Sequence, residues 1–211
     1  QSYLEKYLQQ CYELNRATTV SGLVMDPTTG EILAISTYPS FDLNEPPRDM
    51  VTELMSMSRA RIVTDTYEAG SMFDMITTAA AIDSGATTQD STFKCSGYRI
   101  FRLEKVTCWD TGGHGNETLS EALGNSCNVA MMDMALATGV DKFYEYVYGF
   151  GFNEKTNCGM PSEDTGEVIH RKYIRESDLA KISFGENITT TAIQMANAFC
   201  AELRPRFVGD H

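Results

Sequence analysis

Ser71 and Asp74 form the pair in this sequence best placed to carry out a reaction. Ser71 stands at the first turn of an expected helix, after Glu68-Ala69-Gly70, and Asp74 follows at i+3 on the same helix face. A serine so placed can act as an acyl-transfer nucleophile if a neighbour takes its proton, while the helix N-terminus offers backbone N–H groups to an oxyanion. A lysine at i+3 suits that task. An aspartate is shorter, ionises near pH 4 and brings no positive charge to favour an alkoxide. The ordinary role of a serine at a helix start is a plain N-cap, so the pair alone establishes no activity.

Other reactive side chains offer less. His114 lies between Gly113 and Gly115, where a structural or substrate-lining role is the ordinary one, and His170 and His211 have no partner legible in the sequence. Cysteines at 11, 95, 108, 127, 158 and 200 show no Cys-x-x-Cys pair and no histidine at zinc-ligand spacing, so neither a metal site nor a cofactor is expected. Cys95 and Cys108 bracket a short apparent hairpin and can close a small loop in an oxidising compartment; buried free thiols are the alternative.

The elements that must position these groups follow from periodicity. Residues 1–16 read as an amphipathic helix. The runs 19–25 and 31–37, joined by Asp26-Pro27-Thr28-Thr29-Gly30, read as a β-hairpin central to a sheet. After a loop and a polar helix, residues 71–84 form a helix that is apolar nearly all round and therefore buried, stopped by Gly85. Residues 92–109 read as two short strands, and Thr118 with Glu121 forms a capping box for a helix over 119–123. A longer helix opens at 125–128 and ends at Gly139; its methionines 131, 132 and 134 are core packing. Helices over 141–148, 176–182 and 191–200 complete an α+β chain.

The chain has 211 residues, 42% of them hydrophobic, which suits one substantial core and excludes disorder. Its net charge of −12 repels a phosphate backbone, so nucleic acid is excluded as a partner; the acidic excess reads as a solvated face. No run approaches the roughly 18 apolar residues of a membrane span.

Several segments in order carry a family resemblance: Ala34 to Asp42, Arg61 to Ser71, Gly113-His114-Gly115, Ser126-Cys127-Asn128 and Thr191 to Ala196. With Ser126 55 positions after Ser71, they closely resemble the transpeptidase domain of class B penicillin-binding proteins over nearly the whole chain. Cys95-Ser96-Gly97 and Cys108-Trp109 place the resemblance nearest the division and sporulation-specific members.

The resemblance implies a sheet flanked by helices plus an all-helical portion, in a single domain over residues 1–211 whose C-terminal strands are missing. It implies peptidoglycan cross-linking: a serine attacks the D-Ala-D-Ala amide of a stem peptide, forms an acyl-enzyme and passes the acyl group to an amine. β-Lactams trap the same serine. Ser71 would be the nucleophile, with Ser126 and Asn128 relaying protons and holding the substrate amide. Cell-wall synthesis proteins are further possible partners, and the location implied is extracytoplasmic, anchored to the membrane through a segment this chain does not contain.

Two departures weigh against full activity. The family's Ser-x-x-Lys reads Ser71-Met72-Phe73-Asp74, and loss of one member of such a unit commonly costs orders of magnitude in rate. The third motif, Lys-[Thr/Ser]-Gly, is absent; Lys155-Thr156-Asn157 is a near match too close to Ser126, and Ala201 to Val208 reads as shortened. Ser91-Thr92-Phe93-Lys94 spells the tetrad, but on a strand i and i+3 point to opposite faces, so it is a decoy. A non-catalytic relative that binds a wall precursor or a partner protein is the second reading. An unrelated serine hydrolase is disfavoured, because no Gly-x-Ser-x-Gly elbow is present.

Overall fold

The computed structural model describes residues 1–102 and 104–203; Arg204 to Val208 and His211 lie outside the described residues. Helix α1 (Ser2–Asn15) precedes strands β1 (Val20–Met25) and β2 (Ile32–Tyr38). Short helices α2 (Val51–Met57) and α3 (Arg61–Thr64) lead to β3 (Thr66–Glu68), a 3-10 turn over Gly70–Met72 and helix α4 (Phe73–Asp83). Strands β4 (Thr92–Cys95), β5 (Tyr98–Phe101), β6 (Glu104–Thr107) and β7 (Gly115–Thr118) follow. Helices α5 (Leu119–Gly124), α6 (Asn128–Thr138) and α7 (Val140–Gly149) come next, then β8 (Glu167–Val168), α8 (Glu176–Ile182), β9 (Ile188–Thr191) and α9 (Ala192–Leu203). No helix among the described residues is long and apolar enough to cross a membrane.

The chain divides into two compact units. The first comprises Gln1–Thr66, Lys155–Asp164 and the chain from Thr191 on. Its hairpin is antiparallel, with Gly22 opposite Ser36 and Leu23 opposite Ile35, and Asp26 closes the turn by accepting the Thr28 and Gly30 N–H groups. Among the described residues β1 and β2 pair only with each other, so the hairpin is not central to a wider sheet there; Val24 and Leu33 stay exposed. A small core gathers Ile62, Val63 and Ile193 against Leu23, Ile32 and Ile35.

The second unit, Tyr67–Glu154 and Thr165–Thr190, is built on α4 and α6, which pack against each other. Both carry apolar residues on most faces, and a helix of that kind is stable only when surrounded. Phe73, Ile76, Ala80, Met131, Met132 and Met134 are fully buried. Phe73 packs its ring 5.3 Å from that of Phe152, and each such aromatic contributes about 2–3 kcal/mol by leaving water. The burial expected of α4 is incomplete, since Met72, Met75 and Ile82 remain about 40% exposed.

The region 92–118 holds more strands than its composition suggests: β4 pairs with β7, and β5 with β6, as two separate antiparallel pairs. Strands β3, β9 and β8 make a three-stranded sheet with β9 in the middle. The Thr118–Glu121 capping box starts α5, and Gly139, at φ +80°, ends α6.

Candidate active site

Three elements of the second unit bring the site together. The 3-10 turn runs straight into α4, so Ser71 is exposed at the helix start while Asp74, one turn on, is 2% exposed. Gly185 sets the position of the turn. Its carbonyl accepts the Gly70 N–H (3.1 Å), its φ is +79°, and a Cβ there would lie 2.2 Å from the Gly70 oxygen. Only glycine combines that backbone with that approach.

Ser126 and Asn128 come from the joint between α5 and α6. Ser126 adopts φ +48°, a left-handed conformation uncommon for a residue with a Cβ. The turn is held because the Ser126 N–H donates to the Leu123 carbonyl and the Cys127 N–H to that of Ala122. Asn128 Nδ2 donates to the Thr107 carbonyl at 3.2 Å, tying the start of α6 to β6. Ser71, Ser126 and Asn128 line one cavity of about 640 Å³ together with Trp109, Phe184 and Glu186. That volume falls in the range of small-molecule sites.

Asp74 lies in the wall behind. The Ser126 hydroxyl donates to its Oδ2 at 2.6 Å, while Oδ1 is buried with no hydrogen-bond partner among the described residues. Burial pushes the Asp74 carboxyl up to about 6, and the Ser126 hydrogen bond opposes the shift. The structure thus brings Asp74 to Ser126 across 52 residues of sequence and places Ser71 on the same cavity.

Other sequence candidates sit elsewhere. Ser91 closes a turn, accepting the Thr88 N–H at 3.0 Å, and Lys94 is exposed on β4. Thr156 and Asn157 of the near-match motif donate their N–H groups to the buried Glu163 carboxylate, a structural role. His114 lies among Cys95, Cys108 and Cys127, all free buried thiols. Trp109, Phe184 and Glu186 were not named from the sequence as cavity residues. Only Trp109 carried a signal, as the one tryptophan, next to Cys108; its indole N–H donates to the Asn125 carbonyl at 2.7 Å.

Comparison with known proteins places this arrangement. Residues 20–206 match the family described as "Penicillin binding protein transpeptidase domain". Stage V sporulation protein D of Bacillus subtilis (strain 168) is 30% identical over 203 residues, covering 95% of this chain and 31% of that protein. Penicillin-binding protein PbpB of Mycolicibacterium smegmatis is 30% identical over 198 residues, covering 93% of this chain and 30% of that protein. The chain therefore spans about a third of the length of the curated relatives it matches. Penicillin binding protein 3 from Mycobacterium tuberculosis, solved in complex with aztreonam, superposes with a TM-score of 0.86 at 25% identity, covering 95% of this chain and 44% of that one. The chain belongs to the penicillin-binding protein transpeptidase domain family, and its relatives are of class B.

Proposed function

We propose that this chain is the serine acyl-transfer portion of a class B penicillin-binding protein that cross-links peptidoglycan, slowed here by Asp74. The observation that carries the reading is the placement of Ser71, Ser126 and Asn128 on one cavity with Asp74 bonded to Ser126. Ser71 Oγ attacks the carbonyl of the D-Ala-D-Ala amide and loses its proton, and the C–N bond breaks as the departing amine takes up a proton. The resulting ester is then opened by an amine of a second stem peptide, which regenerates the hydroxyl. β-Lactams, as mimics of the dipeptide, stop at the ester. Ser126 passes protons and Asn128 holds the substrate amide. The setting is extracytoplasmic, on a membrane-anchored protein.

Asp74 changes the electrostatics of the first step. With its pKa near 6 it is a better base than an ordinary carboxylate, yet it places negative charge where a family lysine would offset a forming alkoxide. Acylation is therefore slow. Incubation with a fluorescent penicillin followed by intact-mass measurement tests this: wild type labels slowly, Asp74→Lys labels about 100-fold faster or more, and Ser71→Ala does not label. Rapid stoichiometric labelling of wild type overturns the impairment, and labelling of Ser71→Ala overturns the site. Asp74 also favours a second reading, a non-catalytic domain that binds a wall precursor or a partner protein. Under it, a D-Ala-D-Ala peptide binds and even Asp74→Lys forms no covalent adduct.

A further inference from the structure

Behind the wall that carries Ser126, three thiols and an imidazole converge. Cys95 ends β4, Cys108 follows β6, His114 precedes β7 and Cys127 is the N-cap of α6. Their ligand atoms all lie within 4.8 Å of one another, and Cys108 Sγ is 3.7 Å from His114 Nδ1. A tetrahedral zinc ion with Zn–S near 2.3 Å and Zn–N near 2.0–2.1 Å has ligand–ligand edges of about 3.6–3.8 Å. The cluster needs to contract by at most about 1 Å to reach that size. The three cysteines are at most 2% exposed and the imidazole 8%, so the set is closed to solvent.

Glu117, 3% exposed, sets its Oε1 3.8 Å from His114 Nδ1 and accepts the Asn125 side-chain N–H on the same oxygen at 2.9 Å, while its Oε2 and His114 Nε2 are buried with no hydrogen-bond partner among the described residues. The convergence depends on a glycine crossing: a Cβ on Gly113, at φ +83°, would lie 2.5 Å from Gly97 N and 2.6 Å from the Cys95 carbonyl oxygen. That crossing sets the loop of Cys95 on the loop of Cys108 and His114. A disulfide between any two of the sulfurs would strand the third thiol and the imidazole in the same buried space.

We propose that Cys95, Cys108, His114 and Cys127 bind one zinc ion in a closed Cys3His site. Four protein ligands leave no open position, so the ion is structural. Zinc is favoured because three thiolates and an imidazole are soft and borderline donors of the kind that it takes. Cys127 lies between Ser126 and Asn128, so the ion pins the segment that carries both; only this consequence rests on the acyl-transfer reading, and the metal binding does not.

The test is metal content. The chain purified from zinc-replete medium carries one zinc per molecule by elemental mass spectrometry. Its cobalt(II) form shows thiolate-to-metal charge transfer and the intense visible bands of a tetrahedral ion. Cys108→Ser with Cys127→Ser lowers the zinc to below about a tenth, whereas Cys11→Ser, Cys158→Ser and Cys200→Ser together leave it unchanged. If the ligand variants do not fold, alkylation of wild type decides. With zinc bound, Cys11 reacts while Cys95, Cys108 and Cys127 are protected; a strong chelator exposes all three and lowers the melting temperature by on the order of 10 °C or more. Wild type with no zinc and no cobalt charge transfer, zinc retained in the double ligand variant, or a disulfide among the three cysteines overturns the site. Zinc is read without any β-lactam, so neither result depends on Ser71 acylation.

Discussion

Ser126 and Cys127 are consecutive residues that serve two differently built clusters. Ser126, at φ +48°, bonds Asp74 and borders an open cavity with Ser71 and Asn128, whereas Cys127 is fully buried among Cys95, Cys108 and His114. The first cluster keeps unspent capacity: an exposed serine and a carboxylate oxygen with no hydrogen-bond partner among the described residues. The second turns its donor atoms on one another and away from water. The comparison teaches that one strained turn can separate groups meant to react from groups meant to hold. The strain at Ser126, of order 1–3 kcal/mol, persists only if the packing on both sides enforces it.

The largest expected effect removes the support of the open cluster while leaving the sealed one alone. Gly185→Ala forces a Cβ to within 2.2 Å of the Gly70 oxygen at a φ of +79°. The expected destabilisation is about 3 kcal/mol or more, and the Ser71 turn moves off its place at the head of α4. Chemical denaturation measures the first, and penicillin labelling of an Asp74→Lys background measures the second. A Gly185→Ala protein with unchanged stability and labelling would show that the turn is not held by this backbone contact.

Asp74→Asn sharpens the comparison at the buried carboxylate. Because the folded-state pKa of Asp74 is raised from 3.8 to about 6, the folded protein holds this proton more tightly than the unfolded chain does. Its contribution is therefore fully present below about pH 4, is lost as pH rises through 6, and leaves a penalty of about 2–3 kcal/mol above that. Asparagine cannot ionise and can still accept from Ser126. Asp74→Asn is expected to melt roughly 4–10 °C above wild type at pH 7.5 and to match it near pH 3.5. A difference between the two proteins that does not vary with pH would mean that Asp74 is not desolvated.

The two clusters were unequally legible in the sequence. The α1 helix shows the 3.6-residue period, α4 and α6 show as apolar runs ending at Gly85 and Gly139, the first hairpin shows β-branched runs around a turn, and Thr118 with Glu121 marks the start of α5. Strands β3, β8 and β9 are two to four residues long, too short to display a period, and Ile188–Thr191 leads directly into α9. Ser71 and Asp74 stand out by their spacing at a helix start, and Ser126 and Asn128 by the order of whole segments, signals that survive because each is local. The Cys95, Cys108, His114 and Cys127 group leaves no such mark. Its members are widely spaced in sequence and meet only through the tertiary crossing of Gly113 over Gly97. The Asp74–Ser126 bond is hidden for the same reason, since it joins α4 to the turn between α5 and α6.

The smallest expected effect probes whether the two clusters are independent. Thr118 follows Glu117, which stands beside His114, and begins α5, whose far end feeds the Ser126 turn. Its hydroxyl accepts the Glu121 N–H at 3.3 Å, and Glu121 Oε2 accepts the Thr118 N–H at 2.8 Å. Thr118→Ala removes the first bond of that box and is expected to cost about 1 kcal/mol, roughly 2–4 °C in melting temperature. Because β7 pairing and the Asp74–Ser126 bond do not use the hydroxyl, zinc content and Ser71 labelling should stay at wild-type levels. A loss above about 3 kcal/mol, or zinc release in step with slower labelling, exceeds what a cap supplies. It would mean that α5 couples the clusters into one cooperative unit, and that the turn at Ser126 joins them instead of separating them.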